Sequence, residues 1–353
     1  MAHRKGQRPT LPLSAFSPPN TGTSDRFPLS VDPSSLHPVR VVDSHVLVPA
    51  EQWKIEAGSD LLSRTDSIVL SIKDHQFIPT SSPAEILSFI VPLDLSNGIP
   101  NPLPSFLESA QSISVAISTI FKNANPKQTT AIQWALSKGL VVHVDVRCDL
   151  INGEQGWEAL EELVTSCSTA ENKGALVIGM FACSLISQWL TRESANIMPP
   201  PHTLQIPLVK LLSHPIYLAY QSRIAAISLS STTFVQLLPP DWNDPTPSTP
   251  APEGAALQTP LTPSEGQTPA ADSKEKREWK RRIKMYIGPV IEAFGFERIL
   301  FGSSPVASAT APSKVADWYE LSRECFAELG IEQAGIDAIF GQNAKVVFGN
   351  KTV

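Results

Sequence analysis

Three short stretches of this chain carry side chains able to do acid–base, metal or anion chemistry. In Val42-Asp43-Ser44-His45-Val46-Leu47 a carboxylate and an imidazole lie two residues apart. In Ser71-Ile72-Lys73-Asp74-His75 an amine and an imidazole have the same spacing. In His143-Val144-Asp145-Val146-Arg147 an imidazole, a carboxylate and a guanidinium alternate with valines. A spacing of two places side chains on one face of a strand. A neutral imidazole can take a proton or a metal ion, and a guanidinium matches a carboxylate in geometry and charge. His45, His75 and His143 are therefore the candidate catalytic residues. Lys73, Asp145 and Arg147 are candidates for binding an anionic substrate. Asp145 could equally neutralise Arg147 or Lys73 with no ligand present, since buried charges need partners.

The elements that must position these residues follow from periodicity. Short apolar strand patterns occur at residues 39–48, 67–75, 113–120, 140–147, 175–181 and 216–220, and a last one at 298–301. Between them Trp157, Leu160, Leu163 and Val164 form one helical stripe. Val315, Trp318, Tyr319, Cys325, Phe326 and Leu329 form another. Strand and helix patterns alternating at this pace argue for a parallel α/β sheet.

Two segments add a resemblance. Arg298-Ile299-Leu300-Phe301-Gly302-Ser303-Ser304-Pro305, with Asn343-Ala344 further on, is similar to the C-terminal part of the amidohydrolase-related family, in the branch of the pyrone-dicarboxylate lactonases. That family ends its last strand in Phe-Gly-Ser-Asp. The segment Val42 to Leu47 resembles its first strand, Asp-x-His-x-His. The resemblance implies a (β/α)8 barrel over residues 39–349, with the polar face of each strand turned inward. Asp43, His45 and Leu47 would then line the barrel, as would Ser71, Lys73 and His75 in the second strand, with Ile68, Leu70 and Ile72 outside. His143, Asp145 and Arg147 would do so in the fourth, near the C-terminal strand ends where barrel active sites are built.

The resemblance also implies a divalent metal held by imidazoles and a carboxylate, which activates water. Leu47 stands at the second histidine of the pair and Ser304 at the aspartate, leaving Ser304 as a neutral substrate contact. The fifth strand pattern (177–181) and the sixth (Tyr217, Tyr220) lack the family's further histidines, and His214 lies before the sixth as a turn residue. The expected activity is hydrolysis of a small ester, lactone or amide, either metal-independent or lost. The alternative is a non-catalytic barrel that binds a small molecule or another protein. No cofactor is expected, zinc entering only if its ligands are rearranged. A small anionic molecule is the expected partner.

At 353 residues with 42% hydrophobic content the chain can bury a large core, and a net charge of −6 gives no general drive toward nucleic acid or anionic membranes. The four cysteines, Cys148, Cys167, Cys183 and Cys325, contain no Cys-x-x-Cys pair, which points to a reducing compartment. No apolar run reaches the roughly 18 residues of a membrane span. The expected location is the cytoplasm, with mitochondrial import the lesser reading of Arg4, Lys5 and Arg8. Residues 1–38 and the Pro/Thr-rich stretch 239–273 are expected to be disordered, the latter as a loop insertion, and 350–353 form a tail. Five Thr-Pro pairs (Thr246, Thr249, Thr259, Thr262 and Thr268) suit either a neutral loop or proline-directed phosphorylation. The basic run from Lys274 to Arg282 reads as the solvated face of a helix whose buried stripe is Trp279, Ile283, Ile287 and Val290. A nuclear-import signal or phosphate patch is the lesser reading.

Overall fold

The computed structural model describes residues 35–72, 86–108, 114–148, 150, 154–169, 172–179, 212–213, 215–240, 246–248, 274–305 and 313–349. Lys73, His75, His214 and Cys183 lie outside these residues, as do nearly all of the expected leader and insertion. The strands are β1 (Val41–Val46), β2 (Thr65–Ser71), β3 (Ile86–Pro92), β4 (Ser114–Phe121), β5 (Val142–Val146), β6 (Leu176–Ile178), β7 (Thr233–Leu237) and β8 (Ile299–Phe301). They pair in sequence order, all in parallel. Between β8 and β1 the Ser304 amide donates to the His45 carbonyl at 3.0 Å, so the sheet comes round as a (β/α)8 barrel.

The helices are α1 (Ala50–Arg64), α2 (Ser105–Glu108), α3 (Pro126–Ser137), α4 (Glu154–Ser166), α5 (Pro215–Ile227), α6 (Lys274–Phe294), α7 (Val315–Glu328), α8 (Gln333–Asp337) and α9 (Asn343–Phe348). The α4 stripe is buried as expected. In α7, Leu329 departs from the stripe and lies partly exposed just beyond the helix.

The eight strands differ from the sequence reading in three places. β3 and β7 were not among the expected strands, and the segment 216–220 is helical. Pro215 opens α5, where its missing N–H costs nothing, and Tyr217, Tyr220, Ile224 and Ile227 are buried at helical spacing. The Tyr217 hydroxyl donates to the Met285 carbonyl at 2.7 Å. That carbonyl lies four residues before Pro289, whose ring nitrogen cannot close the helical bond, so the tyrosine supplies the missing donor.

The interior begins with an apolar layer of Val42, Val69, Ile90, Ala116, Val141, Val177 and Leu300, closed by Ala344, Val347 and Phe348 near α9. It seals the N-terminal end of the barrel and leaves the polar positions above it. The outer faces pack under the helices, with Val41, Ile68, Val142, Val144, Ile178 and Val235 in one large core.

The basic run is a solvated face only at Lys274, Arg277 and Arg281, which are exposed. Lys276 and Lys280 are buried and reach Glu324 at 2.9 and 3.0 Å, and Lys280 also reaches Glu328 at 2.6 Å. These cations align α6 on α7. Trp279, Ile283, Ile287 and Val290 are buried beside them as expected. Thr246 is buried too, its hydroxyl 2.8 Å from that of Ser313. The other four Thr-Pro sites lie outside the described residues.

Candidate functional site

The sequence reading placed Asp43 in the barrel interior, and the structure turns it outward. Between Asp43 and Val46 three steps along β1 match two steps along β2, from Ile68 to Leu70. This is a β-bulge, which changes the alternation of side chains along the strand. Val42 faces the inner layer and Asp43 faces α1. Past the bulge both Ser44 and His45 are directed inward, Ser44 to Gln236 and His45 to the cavity beside His143.

Asp43 is fully buried and works as a joint. Its Oδ1 accepts from the amides of Ser303 at 2.9 Å and His45 at 3.1 Å, and its Oδ2 from Trp53 Nε1 at 2.8 Å. Burial pushes its carboxyl up to about 6 against the pull of these donors. Gly302 allows the joint to close, because a Cβ there would come within 2.8 Å of His45 Cβ and 2.5 Å of Leu238 Cδ2.

Above the joint lies a cavity of about 850 Å3 at the C-terminal strand ends. His45, His143, Asp145, Arg147 and Ser304 line it, together with Leu47 and Ser71. Five of the seven candidate site residues therefore come together, and the other two, Lys73 and His75, lie outside the described residues. The imidazoles of His45 and His143 stack with centroids 5.5 Å apart and planes at 13°. Arg147 closes onto Asp145 through Nε at 2.9 Å and Nη2 at 2.7 Å. Ser304 is bound into the frame: its Oγ accepts from the Leu47 amide at 3.0 Å and its carbonyl from His45 Nδ1 at 3.0 Å.

Hydrogen bonds fix both histidine tautomers. A carbonyl can only accept, so His45 carries its proton on Nδ1 and keeps the lone pair on Nε2. Ser44 Oγ donates to the Phe301 carbonyl at 2.6 Å. Gln236 Nε2 therefore donates to Ser44, 2.9 Å to its carbonyl and 2.8 Å to its hydroxyl. The Gln236 oxygen then faces His143 Nε2 at 2.8 Å, which must be the protonated nitrogen. Both rings are neutral. Burial, with the neighbouring His143 ring adding to it, lowers His45 to about 3, and burial lowers His143 as well.

Gln236 and Ser44 escaped the sequence reading. The signal for Gln236 was present in Thr233-Phe234-Val235-Gln236-Leu237, an alternating strand ended by Pro239-Pro240. The unforeseen β3 also changes the strand count. His143 therefore stands on the fifth strand of the barrel and not on the fourth.

These residues do not fit a catalytic divalent metal. His45 and His143 offer two lone pairs, Leu47 offers none, and Ser304 Oγ is engaged by a backbone amide. Among the described residues, the only group of three or more side chains close enough to share an ion is His37, Asp60 and Glu320, away from the cavity. A catalytic zinc needs three protein ligands.

No protein-family model matches the chain, and no curated protein matches it. Solved structures do. An amidohydrolase from Burkholderia multivorans with bound zinc superposes with a TM-score of 0.53 at 11% identity, covering 88% of this chain and 99% of that one. A second crystal form of an amidohydrolase from the same organism, with bound HEPES, gives 0.51 at 12% identity over the same shares. The fold is that of the amidohydrolase barrels. Among the described residues no helix is long and apolar enough to cross a membrane.

Proposed function

We propose that this barrel binds a small organic carboxylate at its mouth, with metal-assisted hydrolysis lost. The observation that carries this reading is the donor set. Two neutral imidazoles and an Arg147–Asp145 pair face one cavity, with no third metal ligand converging on the imidazoles among the described residues. Asp145 engages Nε and Nη2 of Arg147, so the Nη1 edge is open to an anion at the half-exposed rim. The Ser304 hydroxyl lines the same cavity as a neutral contact.

The test is calorimetric titration with C4 and C5 dicarboxylates. Arg147→Ala is expected to weaken binding by about 1.5–3 kcal/mol, the worth of hydrogen bonds to charged groups. Its melting temperature should stay within about 2 °C of wild type, because an ion pair at a half-exposed, solvent-screened rim contributes little to stability. A large loss of stability with unchanged binding would assign Arg147 to the structural pair alone.

One observation favours a second reading, metal-independent hydrolysis of a lactone or ester. His45 Nε2 and His143 Nδ1 have no hydrogen-bond partner among the described residues, and either could accept a proton from water. Their lowered basicity argues against efficient transfer at neutral pH. Ester or lactone hydrolysis that persists in chelator and disappears in His143→Ala would establish it.

The lost metal site can be tested by rebuilding it. Leu47→His with Ser304→Asp supplies an imidazole and a carboxylate next to His45 and His143. The double variant is expected to hold roughly one zinc per chain after dialysis, and wild type well under that. Equal zinc in the two proteins would overturn the account of the loss.

A further inference from the structure

We propose that the Ser44–Gln236 relay makes the cavity select carboxylates that carry a hydroxyl or other hydrogen-bond donor. The inference rests on the carboxylate reading above and specifies the ligand within it.

Its basis is the direction of every bond in the relay. The single Ser44 proton goes to the Phe301 carbonyl, which forces the Gln236 amide nitrogen toward Ser44 and its oxygen toward His143. His143 Nδ1 is thereby kept as a lone pair. The His45 bond to the Ser304 carbonyl does the same for His45 Nε2. The two stacked rings consequently offer acceptors and no free donor. A carboxylate oxygen or a ketone placed against them meets lone pair on lone pair, whereas a hydroxyl finds an acceptor.

The anionic end of the ligand has its own place. Arg147 folds back onto Asp145, which stands two residues beyond His143 on the same face of β5. Two strand steps, about 7 Å, separate His143 from Asp145, the residue to which the guanidinium is bound. Allowing for one hydrogen bond at each end, the ligand's carboxylate and its donor must lie within a few bonds of each other. Small hydroxycarboxylates have this spacing. Gln236 touches no ligand in this scheme. It is a positioning residue that sets which nitrogen of His143 is presented.

The experiment compares L-malate with succinate, which differ by one hydroxyl, on the full-length protein by calorimetry. Wild type is expected to prefer malate by roughly tenfold or more, since a site built to pair a hydroxyl rejects the analogue without it. Gln236→Leu is expected to lower the ratio several-fold while leaving succinate binding intact, with His45 Nε2 still held as an acceptor by Ser304. Histidine 15N spectra should show His143 protonated on Nε2 in wild type and as a mixture of tautomers in the variant. Equal wild-type affinity for the two acids, or a wild-type His143 protonated on Nδ1, overturns the inference and leaves the carboxylate reading standing. Binding of neither acid overturns both. The wild-type spectrum decides the tautomer even if Gln236→Leu fails to fold.

Discussion

Asp43→Ala is expected to lose about 3–5 kcal/mol of stability, because two buried amides would be left without an acceptor at about 1–3 kcal/mol each and a buried indole would keep only Ser303 Oγ at 3.2 Å. The donors are the amides of His45 and Ser303 and the indole of Trp53. They come from β1, from the turn after β8 and from α1, so Asp43 joins the first and last strands of the barrel to the first helix. Asp43→Asn should cost less. Its oxygen can serve the two amides, and only the indole then faces an amide NH2. Urea unfolding of the three proteins measures the order. Asp43→Ala within 1 kcal/mol of wild type would show that the joint is not a main support of the barrel. The same substitution should disturb the cavity, since the His45 ring hangs from the strand residue that Asp43 holds.

The second large effect is on acid stability. His45 is lowered to about 3 by burial and His143 is lowered in the same direction, while both titrate near 6.5 in the unfolded chain. Below 6.5 the unfolded state takes up protons that the native state refuses, so their contribution is complete above 6.5 and is lost as pH falls toward 3. Asp43 acts with the opposite sign. Its carboxyl, raised to about 6, binds a proton more tightly in the native state, so its contribution falls as pH rises from about 4 to 6. Between pH 6 and 4 the slope of about 1.4 kcal/mol per pH unit from His45 is opposed by Asp43, and the lowered His143 tips the balance to a net loss on acidification. Denaturant titrations from pH 7.5 to 4 should show this net loss. His45→Gln, which cannot be protonated there, should lack the His45 slope. A wild-type stability independent of pH over this range would sink the assignment of neutral buried rings.

A great deal of this could be read without coordinates. His143, Asp145 and Arg147 were legible as one inward face because β5 keeps strict alternation from Val142 to Val146, and apolar outer positions leave the polar ones nowhere else to go. Leu47 and Ser304 were legible as departures from a metal-binding pattern because residue type alone decides whether a lone pair or a negative charge is available. The stripes of α4, α6 and α7 followed from periodicity of 3.6, which helix geometry enforces locally.

What needed the tertiary structure depends on neighbours distant in sequence. The bulge at Ser44 and His45 exists only against β2, so the outward turn of Asp43 was hidden from any count along β1. The segment after Pro215 is apolar enough for either a strand or a helix, and burial of Tyr217 and Tyr220 against Met285 and Tyr286 decided for the helix. Lys276 and Lys280 look like solvated cations until Glu324 and Glu328 are placed beside them. The path from Phe301 through Ser44 and Gln236 to His143 spans three strands other than that of His143. Residue types along the chain determined which groups could meet at the mouth of this barrel. Only the closed sheet decided which nitrogen of each histidine keeps its lone pair, because that depends on which carbonyl lies across the lumen.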